Sequence, residues 1–89
     1  MKLLVDNADL EQIKAVYDYL PIDGVTTNPT ILAAAGRPPY EVLEEIRRFI
    51  GPDAELHVQV VSEKAEGMIE EARVIRERLG DETYVKIPT

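Results

Sequence analysis

The chain has 89 residues, which fits one small domain, and its 45% hydrophobic and 30% charged content is ordinary for a globular protein. The net charge of -7 argues against nucleic acid and anionic membranes as partners, because both are bound through basic patches. With no cysteine, one histidine and no apolar run near 18 residues, we expect a single cytoplasmic domain over residues 1–89, with no metal, no cofactor and no membrane span.

The first half of the chain predicts two strands, each followed by a helix. Residues 2–6 (KLLVD) form a short apolar strand, and Asn7 is a suitable N-cap for the helix after it. Residues 24–28 (GVTTN) form the second strand. Asn28 followed by Pro29 is the pattern of an N-cap before a proline at the first helical position, which predicts a short second helix.

The second half repeats the alternation. A helix is predicted over 40–50, a strand over 55–61 (ELHVQVV), a longer helix after the N-cap Ser62, and a strand over 83–87 (TYVKI) that Pro88 ends. The apolar stripes of these two helices are predicted to be Val42, Leu43, Ile46, Phe49 and Ile50, and Ala65, Met68, Ile69, Ala72, Ile75 and Leu79.

This alternation predicts parallel βαβ units, either in a doubly wound open sheet or in part of a (β/α)8 barrel. Each strand has one apolar face and one face whose last residue is polar, and these polar residues are Asp6, Asn28, Gln59 and Lys86. In a barrel that face points inward and the four residues converge at the carboxyl end. In an open sheet helices would bury them at a cost, so the pattern favours the barrel.

Each of these residues also has an ordinary structural explanation. Asp6 and Asn28 precede helices and are common capping residues, and Gln59 alone carries little information. His57 is more typical of a core or rim histidine than of a ligand. Lys86 fits least well, since a lysine within a strand usually protects an exposed edge. Four polar residues at one depth together favour a site.

A lysine amine in a barrel interior suits one particular chemistry. Desolvation favours the neutral amine, which can attack a ketone and form a Schiff base whose iminium accepts the electrons of a breaking carbon–carbon bond. Asp6 can transfer protons, and the amides of Asn28 and Gln59 can hold hydroxyls or a water. An ionised Asp6 nearby would oppose this by stabilising the ammonium form.

Four segments resemble those of the small transaldolases and fructose-6-phosphate aldolases: LLVDNAD, GVTTNPTIL, HVQVVSEKAEGMIEEA and YVKIPT. The resemblance implies that Lys86 is the Schiff-base lysine, Asp6 the proton-transfer aspartate, and Asn28 a ligand for substrate hydroxyl, with Thr26 beside it. Gln59 occupies the position that holds the catalytic water, where transaldolases typically carry glutamate and the aldolases glutamine. It therefore favours the aldolase.

The resemblance also implies an α/β fold in which a parallel βαβαβαβ unit forms the first half of a (β/α)8 TIM barrel. We then expect a sugar or sugar-phosphate substrate, and weak or no activity from the 89 residues alone. We also expect a homo-oligomer or pairing with a second half-barrel. Two alternatives stay open: a non-catalytic half-barrel module, and an unrelated open-sheet binding domain, which the polar strand ends disfavour.

Overall fold

The structure is a computed structural model that describes residues 2–61 and 64–87. The described residues alternate between strands and helices as the sequence predicts. The strands are β1 (Leu4–Asp6), β2 (Gly24–Thr26), β3 (Glu55–Gln59) and β4 (Thr83–Lys86), and the helices are α1 (Leu10–Tyr19), α2 (Pro29–Ala34), α3 (Pro39–Ile50) and α4 (Ala65–Leu79). Each strand is shorter than predicted. Within the described ranges, no helix has the length and apolarity needed to cross a bilayer.

The strands form one parallel sheet in the order β1-β2-β3-β4. Leu4 pairs with Gly24, Gly24 with Glu55, and Leu56 with Thr83. Each strand therefore lies beside its predecessor in the chain, and the order never reverses as it does in a doubly wound sheet. This confirms the predicted α/β class and is the order of the first four units of a (β/α)8 barrel.

The hydrophobic core lies on one face of the sheet. Strand residues such as Val25, Leu56 and Val58 pack against helix residues such as Ile13 and Ile46 in one buried cluster. Because consecutive right-handed crossovers in one direction place every helix on the same side, the opposite face of the sheet carries no helix in the described structure. The full cluster is Ala8, Ile13, Val25, Leu32, Val42, Leu43, Ile46, Leu56, Val58, Val60, Ile75 and Leu79.

Side-chain caps fix the starts of the first two helices. The prediction that Asn7 caps α1 is wrong by two residues: the Asp9 carboxylate accepts from the backbone N–H of Glu11 at 3.0 Å, and Asn7 Oδ1 accepts from the N–H of Asp9 at 2.8 Å. Asn7 thus forms a turn that places Asp9 at the N-cap position of α1. The Asn28 cap is confirmed, since its Oδ1 accepts from Ile31 N at 2.9 Å.

Three residues of the predicted apolar stripes are exposed: Ala65 at the first position of α4, Ile69 and Phe49. Ile69 is 70% exposed because the buried stripe of α4 follows Met68, and Ile69 lies about 100° around the helix from it. Phe49 is 38% exposed, and its ring packs edge-on against Tyr17 with centroids 5.2 Å apart. The predicted N-cap Ser62 and the strand-ending Pro88 lie outside the described residues.

A half-buried arginine ties the end of α3 to the sheet. Arg47 donates to the carbonyl oxygens of Gly51 at 2.8 Å and Ala54 at 2.7 Å, and to Thr83 Oγ1 at 3.1 Å. Burial is the main cause that lowers the pKa of the Arg47 guanidinium. The side chain thereby joins α3, the loop before β3 and the first residue of β4.

Candidate active site on the open face of the sheet

The face of the sheet opposite the helices, here called the open face, carries the predicted site. Strand pairing arranges its polar residues in two rows. The lower row is Asp6, Thr26, His57 and Tyr84, and the upper row, one step nearer the carboxyl end of the strands, contains Gln59 and Lys86. Asn28 follows Thr26, the last residue of β2, by two residues and is the N-cap of α2.

Lys86 and Gln59 are register partners on β4 and β3. Parallel strands lie about 4.8 Å apart, and register partners point to the same face, so the amine and the amide are neighbours. Lys86 is exposed and Gln59 is half-buried. The structure thus places together the predicted nucleophile and the predicted water-holding residue.

Asp6 belongs to the lower row of the open face. It pairs with Thr26, which in turn pairs with His57, so Asp6 lies one row, about 6.6 Å, below Gln59 and Lys86. By register, Asp6 therefore does not share the row of Gln59 and Lys86. The reason is that the last residue of β1 pairs with Thr26, which lies two residues before Asn28.

Thr26 contacts the aspartate directly. Its Oγ1 donates to Asp6 Oδ1 at 2.8 Å, and this bond orients the carboxylate along the sheet face. The sequence suggested a substrate contact for Thr26, and the geometry adds a positioning role. Asn28 uses its Oδ1 as the helix cap, so its Nδ2 amide group is the part that stays available to a ligand.

Sequence reasoning missed a chain of polar contacts that crosses the open face from Lys2 to Glu82. Glu55 forms an ion pair with Lys2 and lies 3.0 Å from His57 Nε2. The His57 ring stacks on Tyr84 with centroids 5.0 Å apart, and the Tyr84 hydroxyl donates to Glu82 at 3.1 Å. The alternation of polar residues two apart, at 55, 57 and 59 and at 82, 84 and 86, is the signal that could have found it.

These bonds shift the ionisation of the groups that make them. The hydrogen bonds from Lys2 and then from His57 lower the pKa of Glu55, while the same ion pair raises the pKa of Lys2. The hydrogen bond to Glu82 raises the pKa of the Tyr84 hydroxyl. Near pH 7 the Lys2–Glu55 ion pair of this chain is therefore charged and the Tyr84 hydroxyl is neutral.

A glycine lets two strands approach at the amino end of this face. A Cβ on Gly24 would overlap the backbone carbonyl of Glu55 and lie 2.9 Å from its Cβ. Any side chain at this position would therefore push β2 and β3 apart and displace the Glu55 carboxylate.

The open face brings together an amine, a carboxylate, two amides and an imidazole. This set can form an imine with a carbonyl compound, move protons and hold hydroxyl groups. Among residues 2–61 and 64–87, no group of three or more histidine, aspartate or glutamate side chains is placed to hold a metal ion.

Comparison with known proteins identifies the same family that the sequence motifs resemble. The family model described as Transaldolase/Fructose-6-phosphate aldolase matches residues 3–89. The chain is 44% identical over 88 residues to a probable transaldolase from Aquifex aeolicus and 45% identical over 91 residues to one from Thermoplasma volcanium. It is 37% identical over 89 residues to a probable fructose-6-phosphate aldolase from Streptococcus pneumoniae.

Each of these matches covers 99% of this chain but only 39% to 40% of the relative. The chain thus spans about two fifths of the length of the curated relatives that it matches. Because the family model extends over nearly all of the 89 residues, the membership does not depend on a single short motif. The chain belongs to the transaldolase/fructose-6-phosphate aldolase family.

Proposed function

We propose that this chain supplies the Schiff-base half of a cytoplasmic enzyme that makes and breaks carbon–carbon bonds in sugars or sugar phosphates. The observation that carries the proposal is the register of the open face: Lys86 lies beside Gln59, one row above the hydrogen-bonded pair of Asp6 and Thr26. An amine, a water-holding amide and an oriented carboxylate are what imine chemistry requires.

The proposed reaction begins when the neutral Lys86 amine adds to the ketone carbon of the substrate. Loss of water from the resulting carbinolamine gives the iminium. Counting from the iminium carbon, a base then removes the proton of the hydroxyl on the β-carbon, the bond between the α-carbon and this β-carbon breaks, and the β-carbon leaves as an aldehyde. The bonding electrons pass into the iminium to form an enamine, which either adds to another aldehyde or is protonated on carbon and hydrolysed to free ketone and amine.

In this scheme Asp6 moves the protons through the water that Gln59 holds, and Asn28 binds a substrate hydroxyl through its amide nitrogen. Thr26 keeps the Asp6 carboxylate in place through its 2.8 Å hydrogen bond. Glutamine at position 59 favours the aldolase over the transaldolase outcome. Because Lys86 is exposed and desolvation is what favours the free amine, we propose that the 89 residues alone are at best weakly active.

Borohydride trapping tests the proposal. The protein is incubated with dihydroxyacetone or fructose 6-phosphate, reduced, digested and analysed by mass spectrometry. We expect a secondary amine on the peptide that contains Lys86, absent in Lys86→Met and retained in the matched surface variant Lys14→Met. An adduct spread equally over the lysines, or no adduct at Lys86, would remove the imine mechanism from this chain.

A second candidate is a non-catalytic half-barrel that associates with a second copy. Within the described structure β1 and β4 are the sheet edges, and each has one neighbour. The β1 edge ends in the anion Asp6 and the β4 edge ends in the cation Lys86, so the two edges carry opposite charges at their carboxyl ends. Native mass spectrometry discriminates, since a dimer favours this candidate and a compact monomer counts against it.

A further inference from the structure

The lower row of the open face contains an aromatic pair that the proposed mechanism does not use. His57 and Tyr84 precede Gln59 and Lys86 by two residues on their strands and point to the same face. They therefore lie about 6.6 Å below the upper row. Diagonal neighbours on a sheet face are separated by about 7–8 Å, within reach of aromatic and long side chains.

His57 is held from below. Its Nε2 lies 3.0 Å from Glu55 Oε1, and that carboxylate is itself fixed by the ion pair with Lys2. The ring is also backed by Tyr84 at a centroid distance of 5.0 Å and an interplanar angle of 27°. Tyr84 is in turn anchored by its hydroxyl on Glu82, so each ring is held by a carboxylate two residues earlier in the chain.

This anchoring leaves one side of the imidazole free to meet a ligand. Because the Glu55 carboxylate can only accept, Nε2 carries the hydrogen of this bond, and Nδ1 of the neutral ring is left as an acceptor for a ligand hydroxyl. The side chain keeps 33% of its surface exposed. A ring that packing and a hydrogen bond already hold loses little side-chain conformational entropy when it binds a ligand, as a preorganised site requires.

We propose that His57 is a further substrate-binding residue, one whose Nδ1 hydrogen-bonds a hydroxyl of the ketone joined to Lys86, with Glu55 and Tyr84 as positioning residues. This inference rests on the proposed function, since the ligand is the ketone of the imine. A plain ketone would leave Nδ1 without its partner, so a hydroxylated ketone should bind more tightly than a plain one.

The only histidine of the chain makes this directly observable, because its imidazole gives a single pair of ring signals in a 1H–13C NMR spectrum. We expect those signals to move on addition of dihydroxyacetone, in proportion to the adduct trapped at Lys86 in the same sample. Glycerol, which has hydroxyls but no carbonyl, should leave them in place. Acetone, which forms the imine without a hydroxyl, should shift them less.

Two variants separate hydrogen bonding from packing. His57→Phe keeps the stacked ring and removes both nitrogens. It should raise the dihydroxyacetone concentration for half-maximal trapping by about threefold to tenfold, the effect of one hydrogen bond, with the maximal trapped fraction unchanged. His57→Gln restores a donor and an acceptor and should recover most of this loss. Circular dichroism checks that both variants are folded.

The outcomes are distinct. Trapping at Lys86 with unmoved imidazole signals overturns this inference alone, and so do equal half-maximal concentrations for the wild type and His57→Phe. Absence of any adduct at Lys86 overturns the proposed function and this inference together. Trapping accompanied by moved signals and a rescued glutamine variant supports both.

Discussion

Replacement of Arg47 by methionine gives a quantitative test of how β4 is held. The guanidinium makes three hydrogen bonds, to two backbone carbonyls and to Thr83 Oγ1. Bonds to a charged group contribute about 1.5–3 kcal/mol each, so the gross loss is about 4–9 kcal/mol. Methionine keeps most of the aliphatic volume and removes a charge that is costly to bury, and water can reach part of the site.

These offsets leave an expected loss of about 2–3 kcal/mol in the free energy of unfolding. A domain of this size has a total stability of about 4–13 kcal/mol, so the change is large enough to measure by urea denaturation followed by circular dichroism. The matched control is Arg48→Met, since Arg48 is exposed on the same helix and should change stability by less than about 0.5 kcal/mol. Equal urea midpoints for the two variants would refute the anchoring role of Arg47.

Three further changes follow from the same structure. Tyr17→Phe removes a buried hydroxyl without a hydrogen-bond partner in the described part of the chain, so it should stabilise by up to about 1 kcal/mol, whereas Tyr19→Phe, at 87% exposed, should change nothing by thermal melting. Burial raises the pKa of Tyr17, so stability should fall as the pH rises above about 10, and less so in Tyr17→Phe. The pKa of Glu55 is lowered in the folded chain. Its contribution to the free energy of unfolding is therefore present above the ordinary carboxyl range and is lost as the pH falls through the pKa of the folded state. Urea midpoints measured from pH 6 to pH 3 should fall less in Glu55→Gln. Gly24→Ala should destabilise by about 2 kcal/mol or more through its overlap with the Glu55 backbone, and equal stability in urea would contradict that packing.

The elements and their order could be predicted because the local signals are strong. The Asn28–Pro29 pair is a local signal that marks the start of α2. The alternation of polar and apolar residues identifies the two faces of β3. The prediction of Asn7 as a cap failed because Asn7 and Asp9 are both good caps, and only the three-dimensional turn decides between them.

The register between neighbouring strands could not be predicted from local sequence signals. The position of Asp6 one row below Lys86 depends on how β1 and β2 pair, which is set by long-range packing that no local pattern records. The same holds for the contact between Glu55 and His57, since the sequence places both on one face but does not say which polar groups meet. Residue type thus indicates which chemistry a side chain can perform, whereas the pairing of the strands decides which side chains meet.

The agreement between the order of the strands in the sheet and their order in the chain has a consequence for how the protein is made. Each strand can dock on a neighbour that has already been synthesised, so the sheet can grow one unit at a time as the polypeptide leaves the ribosome. Lys86 belongs to β4 and joins last, beside the glutamine and above the histidine that are then already in place. The amine that we propose as the nucleophile is thus the last of these groups to be added, on a surface assembled before it.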